Sequence, residues 1–85
     1  MLIGKETVHE YRGRGTVVAV GNGTVTVRYG EDYDVDFAYP DEFTRMLRLR
    51  EFDPEAQAEI NADLQAARLA RAEAYRKQKE EKRRG

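Results

Sequence analysis

The sequence predicts a mainly β chain with one α element: a small five-stranded barrel followed by a long C-terminal helix. Three observations predict it. Asn22-Gly23 separates two β-rich runs, Thr16–Val20 and Thr24–Tyr29. A two-residue type I′ turn needs φ > 0 at both central positions, and Asn and Gly tolerate that best. Other short runs alternate apolar and polar residues, with turn-forming residues between them, as in an all-β unit. At Asp53-Pro54 the composition changes, and from there to about Lys82 there is no Gly, no Pro and one β-branched residue, Ile60. The barrel is thus assigned to residues 1–52 and the helix to residues 53–85.

Taken in order, Glu6–Tyr11 reads as a first strand with Val8 inward, and Arg12-Gly13-Arg14-Gly15 as a bend. Glycines at a strand edge mark a bulge or a close approach of two backbones. After the Asn22-Gly23 hairpin, Val25, Val27 and Tyr29 alternate with Thr24, Thr26 and Arg28, so one face is in a core and the other in water. Gly30-Glu31-Asp32 is a second turn. Val35, Phe37 and Tyr39 alternate with outward aspartates until Pro40, which has no N–H to give a ladder. Asp41 is placed to cap a short helical turn burying Phe43, Met46 and Leu47, and Leu47–Arg50 supplies the last strand. The predicted core is Val8, Val17, Val20, Val25, Val27, Tyr29, Val35, Phe37, Tyr39, Phe43, Leu47 and Leu49. Closure into a barrel removes exposed sheet edges.

Asp53 is a preferred N-cap, Pro54 suits the first helical position, and Glu55 complements the helix dipole. At 1.5 Å per residue the helix is about 43 Å long. A barrel of some 50 residues has a radius of gyration near 10 Å, so the helix overhangs it. Ile60, Leu64 and Ala67, with Ala56 above, form a face to bury, but the stripe continues as Arg71, Ala74 and Gln78. A coiled coil needs apolar positions over three or four heptads, and fraying is expected from about Ala74 onward.

Composition bounds the chemistry. A chain of 85 residues buries only about 60–65 % of its unfolded surface and has little room for a catalytic cleft. It has no Cys and one His, which removes thiolate chemistry, disulfides and ordinary Cys/His metal centres. No run approaches the roughly 20 apolar residues of a membrane span, so no membrane partner is expected and the cytosol is the expected address. Gly13-Arg14-Gly15 lacks the third glycine of a phosphate loop, having Val18 there. Asp32, Asp34 and Asp36 have the 1-3-5 spacing of a calcium loop, but Phe37 and Phe43 stand where Gly and Glu are required. His9 has no readable nucleophile or acid beside it and reads as a packed, hydrogen-bonded strand histidine. No cofactor, metal or catalytic residue is assigned. Alternation leaves Tyr11 and Tyr33 as surface anchors.

Charge is polarised. Residues 1–67 carry seven Lys and Arg against thirteen Asp and Glu, a net −6. Residues 68–85 carry eight cations, Arg68, Arg71, Arg76, Lys77, Lys79, Lys82, Arg83 and Arg84, against Glu73, Glu80 and Glu81, a net +5. Two regions with different jobs are indicated.

Val8-His9-x-x-Arg12-Gly13-x-Gly15-Thr16-Val17 resembles the opening of the Tudor-like, SH3-type barrel at the C-terminus of bacterial DNA-repair helicases. Phe37-Ala38-Tyr39-Pro40-x-x-Phe43 is similar to the closing signature of stand-alone bacterial relatives of that barrel, and the KOW modules of elongation factors and ribosomal proteins look related. Arg12 stands where the family usually has Phe, with Tyr11 one place earlier. The likeness covers roughly residues 5–50. It implies a bacterial or phage binding module rather than an enzyme, since the helicase barrel docks protein, notably RNA polymerase, and KOW modules contact RNA or protein.

The expected function is a non-catalytic adaptor near nucleic-acid machinery of transcription or repair. The barrel presents Tyr11, Arg12, Arg14 and Tyr33 to a protein partner. The eight cations of the helix end contact nucleic acid or an acidic protein surface. The alternatives are a direct RNA or DNA binder of KOW type, and a structural subunit whose helix docks in a larger complex.

Overall fold

The computed structural model describes the backbone of residues 1–84 and the side chains of residues 1–77. Five strands form one antiparallel sheet: β1 Glu6–His9, β2 Gly13–Gly21, β3 Thr24–Tyr29, β4 Tyr33–Ala38 and β5 Leu47–Leu49. A short 3-10 helix, Asp41–Thr44, separates β4 from β5, and α1 runs from Pro54 to Arg84. The strand order is β4-β3-β2-β1-β5. The edge strands β4 and β5 do not pair with each other, so the hydrogen-bonded ladder does not close on itself.

The β2–β3 hairpin turns at Asn22 and Gly23, whose φ values are 54° and 77°. A register shift between Val17 and Ala19 places a bulge at Val18. Without it, Val17 and Val20 would point to opposite faces, because side chains alternate along a strand; with it, Val17 is buried and Val20 packs against the same core. The glycines expected to form a bend lie inside β2 instead. Gly15 is buried against the side chains of Val27 and Tyr29 of the neighbouring β3, and a Cβ there would lie 2.5 Å from Val27 Cγ1.

The core consists of Leu2, Val17, Val25, Val27, Leu47, Ala56 and Ile60, with Val20, Tyr29, Phe37, Tyr39, Phe43, Leu49 and Leu64 packed against it. Sheet and helix therefore share one interior. Leu2 was not expected there; its segment is tied down by Gly4 N–H to Val17 O and Val17 N–H to Lys5 O, at 2.8 and 3.0 Å. The assignment of Val8 to the core is corrected. Thr7 and His9 are the buried residues of β1 and Val8 is half-buried on the opposite face. The Thr7 hydroxyl donates to Gly15 O, and the His9 ring stacks on Phe37 with centroids 5.1 Å apart. Those contacts set the phase of the strand.

Two further expectations change. Asp41 caps nothing with its side chain: the 3-10 helix begins after Pro40, and the Asp41 carboxylate pairs with Arg71 of α1. Met46 is 37 % exposed, whereas Leu47 is buried as expected. α1 begins as the sequence predicts. Ala56 N–H donates to Asp53 Oδ1 at 3.1 Å, and Lys5 Nζ lies 2.5 Å from Asp53 Oδ2. The hydrogen bond from Lys5, then that from Ala56 N–H, hold the Asp53 carboxyl below its ordinary range.

Ala56 and Ile60 face the core, Leu64 and Ala67 are half-buried, and Leu69 is exposed. The longest dimension of the molecule is 54 Å, which matches a helix overhanging the sheet. The helix is continuous through Arg84.

Candidate functional site

The turn joining β1 to β2 is organised by His9. Its Nδ1 accepts from Tyr11 N–H at 3.1 Å and from Arg12 N–H at 3.2 Å. An imidazole nitrogen accepting two N–H groups carries no proton, so the ring proton is on Nε2. The ring stacks on Phe37 of β4 and meets Tyr11 with centroids 6.2 Å apart. His9 is therefore the packed, hydrogen-bonded strand histidine that the sequence predicts.

This turn carries one exposed tyrosine and touches a second. Tyr11 is 77 % exposed and Tyr33, at the start of β4, is 56 % exposed. Arg12 reaches Tyr33: its guanidinium carbon sits 5.9 Å from the Tyr33 ring centroid, and its Nη1 donates to the Tyr33 hydroxyl at 3.4 Å. A cation over an aromatic face is attracted by the ring quadrupole. Arg12, beside Tyr11 in the turn between β1 and β2, thus contacts Tyr33 at the start of β4.

Arg14 lies elsewhere. It lines a shallow hollow of about 380 Å³ with Glu6, Thr16, Val18 and Arg28. Arg28 is bonded to Asp34 through Nε and Nη2 at 2.8 and 3.0 Å, which holds the Asp34 carboxyl below its ordinary range. Asp36 accepts from the Thr26 hydroxyl at 2.6 Å. The aspartates of β4 are thus outward partners of β3, as the alternation predicts.

Of the helix cations, Arg68, Arg71, Arg76 and Lys77 are exposed; Arg71 is the one paired with Asp41. The side chains of Lys79, Lys82, Arg83 and Arg84 lie outside the described residues. Upstream, the Tyr39 hydroxyl donates to Asp63 Oδ2 at 2.5 Å, and burial, with that bond, pushes the Tyr39 phenol well above its ordinary range. The helix is therefore fastened to the sheet at Ile60, Asp63 and Arg71. No helix among the described residues is long and apolar enough to cross a membrane.

Sequence reading missed that His9 and Phe37 support the turn that carries Tyr11 and Arg12. The signal for His9 was present, in an isolated imidazole directly before a glycine-containing turn. His9→Phe keeps the stacked ring but removes the acceptor. We expect the Tyr11 and Arg12 amides to exchange at least tenfold faster by NMR, as befits one lost hydrogen bond of about 1.4 kcal/mol, while exchange in β3 stays unchanged. Unaltered exchange at both amides overturns the assignment.

The Tyr29 hydroxyl is shut away from solvent with no hydrogen-bond partner among the described residues, and burial raises its pKa. An unmet buried hydroxyl costs free energy. Tyr29→Phe is accordingly expected to leave the urea midpoint unchanged or to raise stability by up to about 1 kcal/mol; a clear loss would reveal a bond to that oxygen.

Comparison of the chain with protein-family models, with curated proteins and with solved structures finds no match.

Proposed function

We propose that this chain is a non-catalytic SH3/Tudor-like barrel module that docks a protein partner of nucleic-acid machinery through Tyr11, Arg12 and Tyr33. The observation that carries the reading is the contact of Arg12, next to the exposed Tyr11, with the exposed Tyr33 of β4, on a turn held by the His9 acceptor. Exposed aromatics beside an arginine are the residue types that dominate protein interfaces. The barrel reading is supported by Phe37 of β4 and Leu47 and Leu49 of β5, which pack into one core although their strands do not pair. Arg14 is not part of this contact. The helix end, with its excess of cations, is the second contact, to nucleic acid or an acidic surface.

The test is capture of partners from a bacterial lysate, with and without nuclease, by the full chain and by its Tyr11→Ala/Tyr33→Ala variant. The reading expects nuclease-resistant capture of a protein that the folded double variant binds at least about 30-fold more weakly, as for loss of an interface hot spot worth about 2 kcal/mol. Equal capture by both forms overturns it. Capture abolished by nuclease favours direct RNA or DNA binding instead.

A further inference from the structure

His9 is the one histidine of the chain, and its place in the fold couples a proton to the shape of the turn between β1 and β2. Its Nδ1 accepts two backbone N–H groups, those of Tyr11 and Arg12. In an imidazolium both ring nitrogens carry a proton and neither accepts. A proton on Nδ1 would therefore point at two donors and leave both amides without their acceptor, in a part-buried place where an unmet N–H is costly. The ring has little room to turn away. It is 7 % exposed, is stacked on Phe37, and stands opposite Gly13 of β2 and Leu47 of β5.

No carboxylate is placed to hold the added charge among the described residues. The rings against His9 are Phe37 of β4 and Tyr11 of the turn, and Gly13 and Leu47 across the ladders carry no charge. Asp34 and Asp36 alternate with Phe37 along β4 and are bonded to Arg28 and Thr26 of β3. Asp63, which α1 brings to the sheet, accepts from the Tyr39 hydroxyl. Glu10 follows β1 and is exposed, and Arg12 is itself a cation, lying over Tyr33.

We infer that His9 is a proton-operated latch on the docking site: neutral, it closes the turn that carries Tyr11 and Arg12; protonated, it opens that turn and withdraws Arg12 from Tyr33. The inference rests on the proposed docking role of these residues and adds its regulation. The closed turn excludes the proton and the open turn takes it up. Closure is therefore complete at high pH and is lost as pH falls. Once the freed imidazole titrates, each further pH unit raises the ratio of open to closed turn about tenfold. Histidine is the side chain whose charge ordinarily changes between pH 5 and 8. A partner held through Tyr11, Arg12 and Tyr33 is accordingly released on acidification, and by linkage its binding opposes protonation of His9.

The test follows the full chain by NMR between about pH 8 and pH 5, with His9→Asn beside it. Asparagine has a side-chain oxygen that can accept an N–H two residues on and does not titrate. In the unaltered chain the Tyr11 and Arg12 amides, and the contact between the Arg12 and Tyr33 side chains, are expected to change with the same midpoint as the His9 ring, while the β3 amides hold still. In His9→Asn the same signals are flat with pH. A His9 ring that titrates without moving Tyr11, Arg12 or Tyr33 overturns the latch, and so does a ring that stays neutral down to pH 5. The unaltered chain decides this by itself if His9→Asn does not fold. Partner capture at pH 7.5 and 5.5 then reads the regulation, with at least about a tenfold loss expected at the lower pH. Equal capture at both, with the turn open at pH 5.5, overturns the regulation and leaves the latch. No capture at either pH overturns the docking reading itself, and the NMR result stands apart from it.

Discussion

Replacing Ile60 with alanine lowers stability by about 2–4 kcal/mol, measured as a fall in the urea midpoint at constant m-value. Ile60 is fully buried in the cluster that joins α1 to the sheet. Removal of its outer carbons loses their transfer free energy and leaves a cavity between helix and sheet. A chain of 85 residues has only about 4–13 kcal/mol of stability in all, so a large fraction is at stake. A chain ended after Leu69 is expected to lose clearly less than the alanine variant, because the described residues it removes are exposed and include the surface Arg71–Asp41 pair. If that truncation were as damaging as the alanine, the helix would be anchored further along than the burial pattern places it.

The second large effect comes from adding a single carbon. Gly15→Ala places a Cβ 2.5 Å from Val27 Cγ1 and 2.8 Å from Tyr29 Cε1. Val27 is fully buried, so its methyl has no free volume to enter, and overpacking of this kind costs about 1–3 kcal/mol. The effect is steric, since no positive φ is required of Gly15. Gly21 lies in the same strand with nothing within 4 Å of an added Cβ, and Gly21→Ala is the control, with little change expected in melting temperature. Similar shifts for both would remove the close approach of β3 over Gly15 as the cause.

These two residues also mark what could be read before any coordinates. The Asn22-Gly23 turn and the Asp53 cap were legible because each is fixed by local chemistry, a backbone angle in one case and an orphan N–H in the other. The phase of β1 was not. A Thr-Val-His run offers one apolar residue, and alternation alone puts Val8 inside; the deciding contacts, Gly15 O and the Phe37 ring, come from eight and twenty-eight residues away. Leu2 was invisible for a similar reason, since it belongs to no periodic run and is held by backbone bonds to β2. At the candidate site, the exposure of Tyr11 and Tyr33 followed from alternation. The contact between Arg12 and Tyr33 did not, because the two are 21 positions apart and meet only when β2, β3 and β4 are laid side by side. The same geometry separated Arg14 from the group to which sequence proximity had assigned it.

The attachments of α1 differ in kind. Ile60 is buried in the core shared with the strands, whereas Asp63 and Arg71 hold the side chains of Tyr39 and Asp41, which flank the junction between β4 and the 3-10 helix. A load on α1 is therefore delivered both to the interior and to that junction, so sheet and helix yield together rather than one before the other.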